Sequence, residues 1–254
     1  MKRRETVLFT DLEGTILREA DGKFSQEDMF ERLAAVSEFE GLTNSKVQMH
    51  IVSPVYVSQM EEVMNEIDKC ICRFNKTNGK SLDYIKQGAA EQDIEDFRDC
   101  DSASFIRRMC KSHDSRIVYF QDSPYMKYNG NVGYGKEKYV RQVLEEYQNN
   151  ERTELVAAIY AGNGRNDVDA VRLLRAIGTK RGLERTKPFV ICPTNSRSLL
   201  QNHADYVSDK EDLQGIADGV MTINKKIIEK LELRAEKSET QKIEKKTDKE
   251  QIDI

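Results

Sequence analysis

The sequence predicts an α/β protein whose Rossmann-like parallel sheet is flanked by helices and carries a small inserted cap. Two observations favour this class. Short apolar runs rich in β-branched residues recur along the chain, and stretches with helical spacing of apolar residues lie between them. A continuous apolar run is typical of a strand buried on both faces, and strands that alternate with helices are typical of a parallel sheet.

Six runs are predicted to form strands, because each is apolar and ends in polar or turn-forming residues. The last of them has the weakest pattern. The runs are VLFT at 7–10, VQMHIVS at 47–53, RIVYF at 116–120, ELVAAIYAG at 154–162, PFVICP at 188–193 and DYVS at 205–208.

Helices are predicted between these runs from the spacing of their apolar residues. After Lys136, for example, Val140, Val143, Leu144 and Tyr147 follow the i, i+3, i+4, i+7 pattern that places side chains on one helical face. The helical stretches are 26–40, the segment after Val55, the segment after Lys136 and the segment after Asn166.

The pattern divides the chain into a core and an insertion. Residues 1–75 and 131–224 carry the alternation of strands and helices and are predicted to form the core. Residues 76–130 are polar and rich in Asp, Lys, Asn and Ser, with a predicted helix near 87–112 and the run at 116–120. We interpret this range as an inserted cap.

The C-terminal range 225–254 is highly charged and contains no Gly or Pro. We interpret it as a tail that is helical or disordered, because it offers few apolar side chains to bury. A partner-binding coiled coil is the alternative. It is disfavoured because apolar positions become rare after Leu233.

Charge, hydropathy and cysteine content argue against several classes of protein. The formal net charge of -4 disfavours a dedicated nucleic-acid binder, which usually has a basic excess. No run of 18 apolar residues is present and the N-terminal apolar run is short, so neither a membrane span nor a signal peptide is expected. Five irregularly spaced cysteines argue against a disulfide framework and favour the cytoplasm. With only three histidines besides, a structural zinc site is not expected.

Asp11 and Glu13 follow directly on the first predicted strand. Ligands of an open parallel sheet bind beyond the carboxyl ends of its strands, so Asp11 is expected to meet solvent or substrate rather than core. Gly14 permits a tight turn, and the Thr15 hydroxyl can bond backbone or a phosphate. By themselves the two carboxylates are equally consistent with a strand-capping Asp and a surface Glu.

Three more polar features come later in the chain. Ser53 follows an apolar run, and Lys136 opens an amphipathic helix, where its ammonium can reach an anion. Each feature alone has an ordinary explanation, such as a cap, a surface charge or a loop, but all of them in this order favour a single site. The third feature is a polar cluster made of Gly162, Asn163, Gly164, Asn166, Asp167 and Asp169.

These motifs resemble, in order, the four motifs of the haloacid dehalogenase-like (HAD) superfamily: DLEGT, Ser53, Lys136 and GNGRND. The stretch at 204–220 also resembles the C-terminal part of the Cof-type phosphatases of that superfamily, and the DLEG motif resembles that of a phosphoserine phosphatase group. The resemblance covers roughly 5–56 and 130–220 and implies a HAD-like core. The segment between them resembles no particular cap type.

The resemblance implies catalytic roles for four residues. Asp11 would be the nucleophile that forms an aspartyl-phosphate, and Glu13 would act as general acid and then activate water. Ser53 and Lys136 would hold the phosphoryl oxygens. The remaining substrate-binding positions are Gly14, Thr15 and Asn166.

The resemblance also implies a bound Mg²⁺ ion. Its ligands would be the Asp11 carboxylate, the main-chain carbonyl of Glu13, Asn163 and Asp167, with Asp169 as a weaker reserve. Oxygen ligands of this kind, completed by water, suit Mg²⁺.

Two positions depart from the usual pattern of the family. Glu13 stands where Asp is usual, which moves the acid group by one methylene; enolase-phosphatases and the phosphoserine phosphatase group also carry Glu there. Asn163 stands where Asp is usual, so one negative charge is lost and Mg²⁺ affinity is expected to fall.

The sequence therefore predicts a cytoplasmic, Mg²⁺-dependent phosphatase that acts on a small phosphate monoester. The alternative from another class is a catalytically weakened HAD-fold protein that binds a phosphorylated ligand or a partner protein. Asn163 motivates this alternative, and the other motif residues speak against it. A phosphotransferase or phosphomutase is a third option, which a water-activating Glu13 disfavours. The sequence identifies neither the substrate nor the oligomeric state.

Overall fold

A computed structural model describes residues 2–12, 14–18, 25–53, 57–82, 117–119, 127–128, 131–132, 136–180 and 182–252. It contains one large sheet and one short antiparallel ribbon. The strands are β1 (Arg3–Thr10), β2 (Lys46–Ser53), β3 (Ile117–Tyr119), β4 (Lys127–Tyr128), β5 (Asn131–Val132), β6 (Thr153–Ala161), β7 (Lys187–Cys192) and β8 (Tyr206–Val207).

The large sheet has six strands in the order β3-β2-β1-β6-β7-β8, and every neighbouring pair is parallel. The predicted fold class is thus confirmed, and all six predicted strands belong to this sheet. Strand order runs in one direction from β1 to β3 and in the other from β6 to β8. The direction of winding reverses between β1 and β6, and the crevice at such a reversal is where open α/β sheets bind ligands.

Six α-helices surround the sheet in the described part of the chain. They are α1 (Gln26–Thr43), α2 (Val57–Asn78), α3 (Lys136–Asn149), α4 (Val168–Arg175), α5 (Ser198–Gln201) and α6 (Asp212–Ile252). Short 3₁₀ turns lie at Arg165–Asp167 and Ile177–Thr179.

Each face of the sheet is covered by its own hydrophobic cluster. Successive residues of β1 point to opposite faces, so Leu8 packs in one cluster while Val7 and Phe9 pack in the other. The first cluster includes residues of α1, α2 and α6, and the second includes residues of α3 and α4. Because both faces are buried, the central strands carry continuous apolar runs, from Val7 to Phe9 in β1 and from Leu155 to Ala161 in β6, as the sequence pattern indicated.

The range predicted to form the cap requires a correction at its C-terminal part. β3 lies within 76–130, yet it pairs with β2 in the large sheet, with Ile51 opposite Ile117. This strand therefore belongs to the core rather than to an insertion. The helix predicted near 87–112 lies outside the described residues, and the remaining domain boundaries stay a prediction.

The predicted C-terminal tail continues as part of α6, a helix of 41 residues. Its first turns are anchored in the core through Leu213, Ile216 and Val220. Further along, Leu231 and Leu233 are 47% and 54% exposed, so the packing has ended there. Nowhere in the described ranges does a helix combine the length and the apolar character needed to cross a bilayer.

Candidate active site

The reversal point of the sheet brings two polar loops together. The Asp11 backbone N–H donates to the Ala161 carbonyl at 2.9 Å, which extends the pairing of β1 with β6 by one residue. The loop after β6, which begins at Gly162, is therefore next to Asp11. Ser53 ends β2, the neighbour of β1 on its other side, and only its place in the strand is described. The predicted residues at three strand ends thus lie along one edge of the sheet.

Lys136 links the two carboxylates of this edge. Its Nζ atom lies 2.8 Å from Asp11 Oδ1 and 2.8 Å from Asp167 Oδ1. The Lys136 and Asp167 side chains are fully buried and that of Asp11 nearly so. Two carboxylates share one ammonium, so with all three groups ionised the cluster carries an excess negative charge away from bulk water. Such a cluster favours either a proton or a bound cation.

Burial and charge shift the pKa values of this cluster. Burial, together with the nearby charge of Asp167, raises the pKa of Asp11 to about 7, even though Lys136 and the Leu12 N–H stabilise its ionised form. Burial alone would lower the pKa of Lys136, but the two carboxylates outweigh it and hold that pKa above its usual value. Lys136 therefore remains an ammonium.

Asp167 is almost saturated with donors. Its Oδ1 accepts hydrogen bonds from Lys136 Nζ at 2.8 Å and from the Tyr160 hydroxyl at 2.7 Å, and its Oδ2 accepts one from Gly164 N at 2.8 Å. A carboxylate offers about four acceptor positions, so about one remains open on Oδ2. Tyr160, which the sequence analysis did not select, fixes this carboxylate. Its signal was a hydroxyl in an apolar strand, since a buried tyrosine usually finds a partner.

Gly14 lies between two asparagine side chains. Its φ of 64° is in the left-handed region that glycine adopts readily, so the expected tight turn is present. A Cβ atom at this position would collide with the Asn163 amide nitrogen, and its distance to Asn195 Nδ2 would be 3.4 Å. Asn163, on the loop after β6, is thus in contact range of the loop that carries Asp11.

The other predicted residues differ in how they relate to the cluster. Thr15 is buried, and within the described part of the chain its hydroxyl makes no hydrogen bond. Asn166 is half-buried, and its side chain folds back over Gly164. Asp169 is exposed and pairs with Arg172 at 3.3 Å, and its role as a reserve ligand stays a prediction. Glu13 lies outside the described residues.

The donor set fits a hard divalent cation. Among the described residues, the Asp11 and Asp167 carboxylates and the Asn163 amide carry oxygen atoms, and oxygen ligands are those that Mg²⁺ prefers. In the part of the chain that is described, no group of three His, Cys, Asp or Glu side chains converges. Among these residues an ion would have two carboxylates available, with a neutral amide oxygen and water as further ligands.

Among known proteins, solved structures are similar to this chain, whereas no family model and no curated protein matches it. One similar structure is the cobalt-bound deoxy-D-mannose-octulosonate 8-phosphate phosphatase of Haemophilus influenzae, with 10% identity, 88% of each chain covered and a TM-score of 0.42. Another is a haloacid dehalogenase-like hydrolase of Bacillus subtilis, with 15% identity, 88% of this chain and 90% of that chain covered, and a TM-score of 0.41. Similarities this remote carry no information on activity, so a function must be argued from the site.

Proposed function

We propose that this chain is a Mg²⁺-dependent phosphatase of the HAD type, which hydrolyses a small phosphate monoester through an aspartyl-phosphate. The observation that carries the proposal is the buried Lys136, held between Asp11 and Asp167 at the reversal point of the sheet. A lysine in this position keeps a carboxylate oriented and supplies positive charge next to the place where a phosphoryl group would sit.

Asp11 is suited to the role of nucleophile. Its Oδ1 accepts from Lys136 Nζ and from Leu12 N, each at 2.8 Å, so the carboxylate is fixed in orientation. The described part of the chain supplies no hydrogen bond to Oδ2, which leaves this oxygen for attack on phosphorus. Attack forms the Asp11–phosphorus bond and breaks the bond from phosphorus to the leaving oxygen.

Proton transfer is assigned to Glu13. Lys136 is a poor candidate, because its raised pKa keeps it protonated throughout. In our proposal Glu13 donates a proton to the leaving oxygen. It then removes one from the water that hydrolyses the aspartyl-phosphate, which returns Asp11 to its starting state.

Phosphate and metal contacts complete the assignment. Ser53 and Lys136 bind the phosphoryl oxygens, and Gly14, Thr15 and Asn166 are the remaining substrate-binding positions. Mg²⁺ would be held by Asp11, the Glu13 carbonyl, Asn163 and Asp167. When bound, the ion neutralises charge on the phosphoryl oxygens. We place the reaction in the cytoplasm. Three cysteines that form no disulfide within the described residues, Cys70, Cys72 and Cys192, support this compartment.

The test is hydrolysis of an aryl phosphate in the presence of Mg²⁺ by matched Asp→Asn variants. Asp11→Asn removes the nucleophile and is expected to abolish turnover. Asp209→Asn makes the same chemical change at an exposed position in the loop after β8 and is expected to leave the rate unchanged. Equal rates for the wild type and Asp11→Asn would assign the activity to another site or to a contaminant.

A second function is favoured by one observation, the neutral Asn163 beside the Asp11 loop. With one carboxylate fewer than the family pattern, the site could bind a phosphorylated ligand without turnover. In that case the wild type would show no hydrolysis, while phosphorylated metabolites would raise its melting temperature and Lys136→Met would abolish the increase.

A further inference from the structure

Residues 194–197 form a loop after β7, here named the β7 loop, that contacts both loops of the site. Asn195 Nδ2 donates to the Gly14 carbonyl at 3.2 Å, which holds the loop after Asp11. Ser196 Oγ donates to the Gly162 carbonyl at 3.1 Å, and Arg197 N donates to the Asn163 carbonyl at 2.9 Å. The β7 loop therefore bonds to the segments that carry the proposed nucleophile and a proposed metal ligand.

The same loop is fixed to the start of α6 by a reciprocal pair of hydrogen bonds. Asn195 Nδ2 donates to Asp212 Oδ1 at 2.8 Å, and Asp212 N donates back to Asn195 Oδ1 at 3.2 Å. Asp212 has a φ of 46°, a left-handed conformation that is uncommon for residues with a Cβ atom but that Asp and Asn tolerate. The Asn195 amide thus donates to both Gly14 and Asp212 and accepts from Asp212.

This arrangement explains why a short glycine turn can hold a reactive side chain in place. Gly14 has no side chain of its own to anchor the turn, and its carbonyl is anchored instead by Asn195. On the other side the Asn163 side chain packs against it. Displacements of about 1 Å in a catalytic arrangement can cost on the order of 10²-fold in rate.

We propose that Asn195 is a positioning residue: it sets the spacing between the Asp11 loop and the Asn163 loop by fixing Gly14 to α6. The inference rests on the proposed phosphatase function for its catalytic consequence, and on the hydrogen bonds alone for its structural one. Asn195 does not touch the reacting atoms.

Two variants separate this role from a merely structural one. Asn195→Asp removes the donor to Gly14 and places a carboxylate against Asp212. The double variant Asn195→Asp/Asp212→Asn restores the reciprocal pair with donor and acceptor exchanged, and Asn tolerates the left-handed conformation at 212. The donor to the Gly14 carbonyl is still missing in the double variant. Asn202→Asp is the control for the same change at an exposed position.

The expected result is a recovery of stability without a recovery of function. The double variant should regain the melting temperature of the wild type, while its kcat stays about 10–100-fold lower and its Mg²⁺ requirement stays higher. Without any ligand, amide hydrogen exchange of residues 11–17 should be faster than in the wild type. Asn202→Asp should match the wild type in all three measurements.

Two outcomes overturn the proposal. One is unchanged hydrogen exchange at residues 11–17 in the double variant; the other is a wild-type kcat together with a wild-type Mg²⁺ requirement. A wild type that is inactive, combined with faster exchange in the double variant, refutes the phosphatase function and leaves the positioning role of Asn195 standing.

Discussion

Two buried basic side chains lie at the carboxyl end of β1, one on each face of the sheet, and they differ in almost every other respect. Lys136 of α3 is 0% exposed and contacts two carboxylates. Arg32 of α1 is 1% exposed and donates one hydrogen bond, from its NH2 group to Thr10 Oγ1 at 2.7 Å. Its Nε has no hydrogen-bond partner, and no ion pair of Arg32 is found among the described residues.

The pKa values of the two groups move in opposite directions. For Lys136 the carboxylates outweigh burial and raise the pKa, whereas for Arg32 burial acts alone and lowers the pKa to about 10. Burial of a charge therefore does not by itself mark a site. What marks the Lys136 side is the convergence of opposite charges on an edge where a ligand can bind.

The largest effect is expected for Lys136→Met, which leaves two buried carboxylates without their counter-charge. We expect kcat to fall by about 10³-fold, comparable to the loss of a key electrostatic donor. Stability should fall by about 3–5 kcal/mol, because breaking a buried ion pair leaves an uncompensated charge. Steady-state kinetics and urea unfolding measure the two effects.

The pH dependence gives this variant an internal check. The pKa of Asp11 lies at about 7 with Lys136 present, and removing the lysine raises it further. Below its folded pKa the Asp11 carboxyl is neutral, so the stability lost by Lys136→Met should be smaller at pH 5 than at pH 8. An equal loss at both pH values would contradict the proposed origin of the destabilisation.

Glu13→Gln tests whether Glu13 carries out proton transfer in the site that contains Lys136. Because Lys136 stays protonated, Glu13 is the proposed group that activates water, and its loss should slow turnover about 10²–10⁴-fold. With an activated phosphate donor, which needs little protonation, phosphorylated Asp11 should accumulate. Intact-mass spectrometry after rapid acid quench detects the adduct. If neither the wild type nor Glu13→Gln forms an adduct, and ligand binding is unaltered, the result favours a binding function.

Tyr160→Phe tests a smaller contribution to the same cluster. It removes one of the two donors to Asp167 Oδ1 without changing the shape of the core. We expect a loss of about 1.5–3 kcal/mol in stability, typical of a hydrogen bond to a charged group. A misoriented Asp167 should also lower kcat, by about tenfold.

Tyr147→Phe is the matched control for this variant. It removes a tyrosine–carboxylate bond of 2.6 Å to Glu5, near the opposite end of β1. Its kcat should equal that of the wild type. A similar fall in kcat for both variants would mean that general loosening, rather than the orientation of Asp167, limits the rate.

The smallest effect is expected for Arg32→Met. Since Arg32 has no counter-charge among the described residues, an apolar side chain of similar length should change stability by less than about 1 kcal/mol or increase it. Equilibrium unfolding of Arg32→Met beside Lys136→Met checks this directly. A loss of several kcal/mol for both variants would show that Arg32 has an ionic partner in solution. The two buried side chains would then no longer differ in charge pairing.

The sequence predicted the strands of the sheet and the polar residues at their ends better than the contacts between those residues. Apolar runs located all six strands of the sheet because strands buried on both faces leave that pattern. A parallel sheet collects its strand ends along one edge, which is why Asp11, Ser53 and the 162–167 loop could be placed together without coordinates.

Other features depend on tertiary packing that local patterns do not encode. Three such features depend on which side chains face each other across elements. They are the hydrogen bond from Tyr160 to Asp167, the hydrogen bond from Asn195 to Gly14, and the lack of an ion-pair partner for Arg32 among the described residues. For the same reason, the predicted cap range 76–130 was wrong in including β3. Periodicity predicts a strand, but not the sheet that the strand joins.

The hydrogen bond from Asn195 to Gly14 also has a consequence for when the site can form during synthesis of the chain. The two residues are 181 positions apart in the chain. At typical synthesis rates the ribosome needs roughly 10–40 s to extend from one to the other. During that time the nascent chain carries its proposed nucleophile on a turn that lacks the Asn195 hydrogen bond, and β1 has no partner on its β6 side until β6 has been made. The proposed site is therefore completed late, and only after synthesis has reached α6.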